Sequence, residues 1–199
     1  EPVDSVRFFF NFSSGKMGYA LARAASYAGG DVTLISGPTS LNPPYGVNYN
    51  EVETALEMKN EVQKYASKQD IIIMASAVSD FRPETRYEKK VKKDQFKDQL
   101  QLIPNPDILK NLGENKKEQI IVGFAAETED LIKNAKNKLK KKNLDMIVAN
   151  DISKPEVGFS TDENEVTVLT ANNKKHIDKK SKEEIAKIVI QEIYNRFCK

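Results

Sequence analysis

Residues 120–126 read Ile-Ile-Val-Gly-Phe-Ala-Ala, an unbroken apolar run as long as one β-strand. A second run of this kind, Ile-Ile-Ile-Met-Ala, occupies residues 71–75. Strands that are apolar on both faces are typical of parallel sheets, because helices cover such sheets on both sides. The two runs therefore predict the centre of a parallel sheet that is buried under helices.

Helical and strand-like patterns alternate on both sides of these runs. Further strands are expected at residues 6–10, 31–36 and 145–150, with an antiparallel strand at residues 165–169. Helices are expected at residues 15–28, 54–67, 106–112, 129–142 and 181–197, the last with Ser181 as its N-cap. The alternation predicts a single domain over residues 1–199. Its fold class is α/β: a doubly wound, mainly parallel Rossmann-like sheet with helices on both faces and a C-terminal antiparallel extension.

Composition excludes several classes of protein. The chain has 199 residues, 39% hydrophobic and 30% charged, and no apolar run reaches the roughly 18 residues of a membrane span. A net charge of +2 and lysine runs without interleaved aromatic residues argue against nucleic acid as a partner. The single cysteine, Cys198, cannot form an internal disulfide, which favours the cytoplasm. The start at Glu1-Pro2, without methionine or an apolar leader, suggests a domain of a longer polypeptide.

The candidate site lies at strand ends, because doubly wound sheets bind ligands at the carboxyl ends of their strands. Residues 11–18, Asn-Phe-Ser-Ser-Gly-Lys-Met-Gly, form a turn into a helix whose free N–H groups suit a phosphate. The turn is not a P-loop, because neither Ser nor Thr follows its lysine. It also differs from the dinucleotide fingerprint, because Ser13 replaces the first glycine. An ordinary tight turn is the alternative interpretation.

Three other strand ends carry weaker signals. Asp80 could hold a hydroxyl and Arg82 a phosphate, although a capping aspartate is the commoner explanation. Phe124 could stack on a base or belong to the core, and Asn150 could bind a ligand or form a turn. These residue types suit positioning and charge stabilisation around phosphates and an acyl group. We expect no partner for His176, and no Cys/His cluster supports a protein-bound metal.

The order of the motifs identifies a family. The turn at residues 11–18 is followed by DVTLISGPTSL, TALEM, AVSDFRP, KKVKK, NPDIL, VGFAAET and NLDMIVANDIS. In this order they resemble the bacterial phosphopantothenoylcysteine synthetases, over nearly the whole chain as far as Asp162. The resemblance implies that the carboxylate of 4′-phosphopantothenate attacks the α-phosphorus of CTP. Pyrophosphate then leaves with magnesium offsetting its charge, and the amine of cysteine displaces CMP from the acyl-cytidylate.

The resemblance also implies roles for single residues. Asn11 holds the acyl-cytidylate, and Lys90 serves the second half-reaction, with Lys89 as the alternative one position away. The residues implied to bind the substrate are Asn11, Ser13, Gly15, Gly18, Phe124 and Asn150. Those implied to bind the nucleotide are Met74, Ala75, Ser76, Asp80, Lys90, Pro106, Asp107, Ile108, Leu109, Phe124, Lys138 and Lys142.

The sequence departs from this family at its start. Bacterial relatives carry a strand and a glycine loop directly before E-P-x-D, whereas this chain begins at Glu1-Pro2-Val3-Asp4. We therefore expect the domain to lack that first strand and loop. The resemblance further implies a homodimer, whose candidate interface follows residue 152, and fusion to or association with a flavin-dependent decarboxylase domain. Residues 79–99 are too polar for a core element and form either a flexible connector or a functional flap.

A different function is compatible with the same fold. A non-catalytic module that binds dinucleotides or senses nucleotides would need no ligase chemistry, because fold does not dictate function. Ser36-Gly37 at the end of the second predicted strand offers no acid for an NAD ribose, which disfavours a dehydrogenase.

Overall fold

The computed structural model describes residues 1–93, 99–151 and 161–198. Within these ranges the helices are α1 (Lys16–Tyr27), α2 (Ala55–Ala66), α3 (Ile108–Glu114), α4 (Leu131–Lys141) and α5 (Lys182–Phe197). The strands are β1 (Thr33–Ser36), β2 (Asn48–Glu51), β3 (Ile71–Met74), β4 (Phe81–Pro83), β5 (Leu102–Pro104), β6 (Ile120–Glu127), β7 (Met146–Asp151), β8 (Glu163–Leu169) and β9 (Lys174–Ser181). The predicted flap falls in part, at residues 94–98, outside the described residues, as does the start of the predicted interface at residues 152–160.

The main sheet has the strand order β3-β6-β7-β8-β9. β3, β6 and β7 run parallel, while β8 and β9 extend the sheet antiparallel. The predicted fold class is confirmed, including the C-terminal antiparallel extension. In the described part of the chain, β1 and β2 form a separate parallel pair, and β4 and β5 a separate antiparallel pair.

Helices cover both faces of the main sheet, and β7 shows why. Met146 and Val148 point into one core cluster, with buried residues of α1 and α5. Ile147 and Ala149 point into the other, with residues of α3 and α4. Because side chains alternate along a strand, a strand buried on both faces must be apolar at successive positions. The unbroken apolar run in β7 is thus explained by helices that cover both faces of the sheet, as the sequence analysis predicted for the central strands.

Two helices, α2 and α5, start at capping boxes that their sequences provide. The side chain of Thr54 accepts the N–H of Glu57 at the start of α2, and the carboxylate of Glu57 accepts the backbone N–H of Thr54. Ser181 and Glu184 form the same capping box at the start of α5, with Ser181 Oγ 3.2 Å from the N–H of Glu184. The prediction of Ser181 as an N-cap is confirmed.

The strand predicted at residues 6–10 is wrong. Phe8 makes one isolated antiparallel bridge with Pro2, and Phe10 is 64% exposed. The carboxylate of Asp4 accepts the N–H groups of Val6 and Arg7, both at 2.9 Å, and this bends the backbone into a turn. The predicted strand does not form, because the side chain of Asp4 takes two of the N–H groups that sheet pairing would use.

The sequence pattern missed four short or polar strands. β2, β4 and β5 have three or four residues each, too few to show a period. β9 reads Lys-Lys-His-Ile-Asp-Lys-Lys-Ser, and only Ile177 in it is buried. It pairs with β8 at the edge of the sheet, where charged side chains are common.

Candidate functional site

The turn at residues 11–18 leaves the start of α1 open. Gly15 is the N-cap, with φ of 72°, and no side chain caps the first turn. A Cβ on Gly15 would also lie 2.8 Å from Cγ2 of Thr39, so both the backbone angle and the space require glycine. Helix N–H groups without a cap are ready partners for an anion.

Ser13 and Gly18 flank this helix start. Ser13 is exposed, and its Oγ accepts the N–H of Gly15 at 3.4 Å. A Cβ built on Gly18 would meet no atom within 4 Å. The protein's own packing therefore does not require glycine at position 18, and the space beside the first turn is open to a ligand.

Asn11 connects this turn to the end of β3. Its Nδ2 donates to the carbonyl oxygens of Val78 at 3.2 Å and Ala77 at 3.5 Å. The side chain is exposed and lies against the segment that follows Met74. The structure thus brings Asn11 to the strand end that carries the predicted nucleotide residues Met74, Ala75, Ser76 and Asp80.

The segment after β3 is bonded to the residues that precede α3. Asn105 donates from its backbone to the carbonyl of Asp80 at 2.8 Å and from Nδ2 to that of Ser79 at 2.9 Å. Arg82 donates to Oδ1 of Asn105 at 3.1 Å and to the carbonyl of Pro104 at 2.7 Å. Arg82 therefore connects β4 to the end of β5 and to Asn105, and its contact with a phosphate stays a prediction. Asn105, which sequence reasoning missed, stands at the start of the NPDIL motif.

Asp107 caps α3 and meets one of the predicted nucleotide lysines. Its carboxylate accepts the N–H of Lys110 at 3.0 Å and Nζ of Lys142 at 2.9 Å. Burial opposes ionisation, but these two donors hold the pKa of Asp107 below its ordinary value. The side chains of Ile108 and Leu109 are buried in the core, so a nucleotide could reach these two residues only through their backbone.

Lys138 also has a carboxylate partner. Its Nζ lies 3.3 Å from Oε1 of Glu127, the last residue of β6, and Nδ2 of Asn134 donates to the other oxygen of that carboxylate at 3.3 Å. The two predicted lysines on α4 and at its end are therefore already ion-paired. A triphosphate that binds them would replace carboxylate oxygens with phosphate oxygens.

Phe124 and Asn150 lie on the two central strands. Phe124 is partly buried and packs against the first core cluster, which fits the core interpretation of this residue. Asn150 is 8% exposed and pairs with Ala126 of β6 and Val166 of β8 in the sheet register. Their contacts with a ligand stay predictions.

Lys89 and Lys90 are exposed in the segment that follows β4.

His176 does have neighbours, contrary to expectation: its Nδ1 lies 3.3 Å from Oγ1 of Thr167, and its Nε2 lies 3.6 Å from Glu165 and 3.5 Å from Asp178. Among the described residues there is no group of three or more His, Cys, Asp or Glu side chains that could hold a metal ion. None of the described helices combines the length and apolar character needed to cross a membrane.

The family model described as the DNA/pantothenate metabolism flavoprotein C-terminal domain matches residues 1–197. The chain belongs to this family. It is 47% identical over 195 residues to the coenzyme A biosynthesis bifunctional protein CoaBC of Bacillus subtilis (strain 168), across 97% of this chain and 48% of that protein. Its identity to the CoaBC protein of Borreliella burgdorferi is 42% over 197 residues, across 98% and 50%. The chain thus spans about half the length of these relatives.

Solved structures of this family have the same fold. The C-terminal domain of a coenzyme A biosynthesis bifunctional protein CoaBC superposes with a TM-score of 0.83 at 39% identity, over 97% of this chain and 88% of that one. The DNA/pantothenate metabolism flavoprotein from Streptococcus pneumoniae also gives a TM-score of 0.83, at 24% identity, which supports the fold alone. The family predicted from the ordered motifs is confirmed.

Proposed function

We propose that this chain is a ligase of coenzyme A biosynthesis that joins 4′-phosphopantothenate to cysteine at the expense of CTP. The observation that supports this proposal best is the position of Asn11, whose amide lies at the end of β3, in the same turn as the open helix start at Gly15. The relatives, named as bifunctional proteins of coenzyme A biosynthesis, point to the same pathway.

The first proposed step joins the acid to the nucleotide. A carboxylate oxygen of phosphopantothenate forms a bond to the α-phosphorus, the bond to the β-phosphate oxygen breaks, and pyrophosphate leaves. The N–H groups at the start of α1 bind the phosphate of phosphopantothenate, and Gly18 leaves room for it. Asn11 donates a hydrogen bond to the oxygens of the mixed anhydride, which positions it and stabilises charge.

The second proposed step forms the amide. The amine of cysteine attacks the acyl carbon, the bond to the phosphate oxygen of CMP breaks, and the amine proton passes to solvent. A free carboxylate is a poor acyl donor, so the reaction depends on the leaving group that the first step supplies. The ammonium group of Lys90 would balance charge on the departing phosphate.

Two lysines and a magnesium ion would balance the negative charge of the triphosphate. Lys138 and Lys142 offer two cations, one beside the end of β6 and the other beside the start of α3. Magnesium usually binds through phosphate oxygens, water and one or two carboxylates. A magnesium ion that enters with the triphosphate would be held mainly by phosphate oxygens and water. Its chemical contribution would be to offset phosphate charge.

The proposal is tested by an assay for pyrophosphate. We expect release that requires both phosphopantothenate and a nucleoside triphosphate, that precedes the addition of cysteine, and that is faster with CTP than with ATP. An absence of pyrophosphate release in the presence of all substrates, together with tight binding of NAD(P), would favour the dinucleotide-binding alternative instead.

Lys90→Gln is expected to separate the two steps. Glutamine is one atom shorter than lysine, stays polar and removes the charge, so the acyl-cytidylate should still form while amide formation falls by about a hundredfold. Mass spectrometry of a quenched reaction would then show accumulated intermediate. Lys89→Gln is the matched control in the same exposed run, and accumulation in that variant alone would transfer the role to Lys89.

A further inference from the structure

Asp4 and Arg7 form an ion pair in the N-terminal loop, residues 1–9. Asp4 is 1% exposed although it lies in no helix or strand. Its Oδ1 accepts the N–H groups of Val6 and Arg7, and its Oδ2 accepts the guanidinium of Arg7, with Nε at 2.9 Å. The hydrogen bonds from Arg7 hold the pKa of Asp4 well below its ordinary value. The carboxylate is thus charged and satisfied at neutral pH.

The same pair binds both peptide groups of Val91. The N–H of Val91 donates to Oδ2 of Asp4 at 3.2 Å, and Nη2 of Arg7 donates to the carbonyl oxygen of Val91 at 2.8 Å. Two side chains therefore satisfy one backbone residue in the way that a neighbouring strand would. Val91 is separated from Asp4 by 87 positions in the sequence, so this is a tertiary contact.

A second contact holds the chain four residues earlier. The N–H of Tyr87 donates to the carbonyl of Val3 at 3.0 Å, next to Asp4. We call residues 87–91 the lysine segment, because Lys89 and Lys90 lie between its two held ends. The three intervening residues reach at most about 3.3–3.6 Å each, so both lysines stay close to the N-terminal loop.

The N-terminal loop also leads directly into the candidate site. Asn11 follows Arg7 by four positions and bonds to Val78 beyond the end of β3. At its other end, Oε1 of Glu1 accepts Nδ2 of Asn105 at 3.0 Å and the N–H of Ala55, at the start of α2, at 2.8 Å. A loop without regular structure is thereby fixed between two parts of the site.

We propose that the Asp4–Arg7 pair positions the lysine segment relative to Asn11, and that it acts in amide formation through Lys90 or Lys89 without touching substrate. This inference rests on the proposed function for its catalytic consequence. Misplacement of a reacting group by about 1 Å can cost a hundredfold in rate, so a fixed anchor for an exposed lysine has a clear catalytic use. Arg7 suits the role because its rigid planar fork holds the bonds to Asp4 and to Val91 in one fixed geometry. A lysine ammonium is a flexible point charge that lacks this fork.

The first test needs no substrate. Amide hydrogen exchange of Val91, measured by NMR in the free protein, should become about tenfold faster in Arg7→Lys, and faster still in Asp4→Ala if that variant folds. Arg86→Lys is the matched control, because it alters an exposed ion pair to Glu53, 3.2 Å long, just before the same segment. Unchanged exchange of Val91 in folded Arg7→Lys would overturn the proposal.

The second test measures the two reaction steps separately. We expect Arg7→Lys to release pyrophosphate at a rate within about threefold of wild type and to form amide about tenfold more slowly. The double variant Arg7→Lys, Lys90→Gln should form amide no more slowly than Lys90→Gln alone, because a positioning residue has nothing left to position. The same comparison is made with the double variant Arg7→Lys, Lys89→Gln. If the losses in the rate of amide formation are additive in both double variants, Arg7 does not act through either lysine and the proposed role is contradicted. An inactive wild-type protein would overturn the proposed function, while the exchange rates still decide whether the pair holds the segment.

Discussion

Asn11→Ala is expected to reduce amide formation by about a hundredfold to a thousandfold, the usual cost of removing one positioned donor from a developing oxyanion. The amide of Asn11 is the side-chain donor in residues 11–18 that reaches the strand end after Met74. Its loss should slow formation of the acyl-cytidylate as well as its use. Pre-steady-state measurement of pyrophosphate and amide in the same reaction would report both effects.

Two further variants separate chemistry from folding. Asn11→Asp keeps the size of the side chain but replaces the donor with a negative charge beside the phosphates, so it should be at least as inactive as Asn11→Ala. Asn172→Ala is the matched control. Asn172 lies in the turn between β8 and β9, three residues after Leu169. Leu169 pairs with Ile147 near the amino end of β7, so this turn is at the end of the strands opposite to the candidate site. Near-normal turnover in Asn11→Ala, with an unchanged unfolding temperature, would remove Asn11 from the mechanism.

The fold could be predicted where hydrophobic patterning alone decides the structure. The runs at residues 71–74 and 120–127 are strands whose side chains pack alternately against the two core clusters on opposite faces of the sheet. The run at residues 6–10 shows where this reasoning fails. The carboxylate of Asp4 takes the N–H groups that a strand would have offered to a partner. A hydrophobic pattern gives no information about a nearby side chain that accepts backbone N–H groups.

The candidate site was predictable in part, for a related reason. Strand ends and an uncapped helix start can be located from local sequence, and the structure does bring Asn11 to the end of β3. The pairing of Lys142 with Asp107 and of Val91 with Asp4 joins residues 35 and 87 positions apart. No local pattern encodes such contacts, because they arise only when the chain is packed. The order of the motifs was enough to predict the family, whereas the hydrogen-bond partners of these residues are known only from the structure.

Gly113→Ala is expected to destabilise the fold more than other small substitutions. A Cβ on Gly113, near the end of α3, would lie 1.8 Å from the carbonyl oxygen of Lys142, a backbone atom that cannot swing aside. Nδ2 of Asn143 also donates to the carbonyl of Gly113 at 2.9 Å, which fixes the approach. Overpacking of a tight interior costs about 1–3 kcal/mol and occasionally more, and we expect about 3 kcal/mol here. In a domain of this size that lowers Tm by about 10 °C.

Gly18→Ala is the matched control, because the two glycines have opposite surroundings. No atom lies within 4 Å of a Cβ at position 18, and alanine is the better helix former by about 1 kcal/mol, so the variant should be as stable as wild type or slightly more stable. If the open space beside α1 receives the phosphate of phosphopantothenate, the same methyl group should weaken binding of that substrate while CTP binding is retained. Thermal unfolding and calorimetric titration of both variants would check the pair. A Gly113→Ala protein with the unfolding temperature of wild type would show that α3 and the end of α4 do not approach each other as closely as the structure places them.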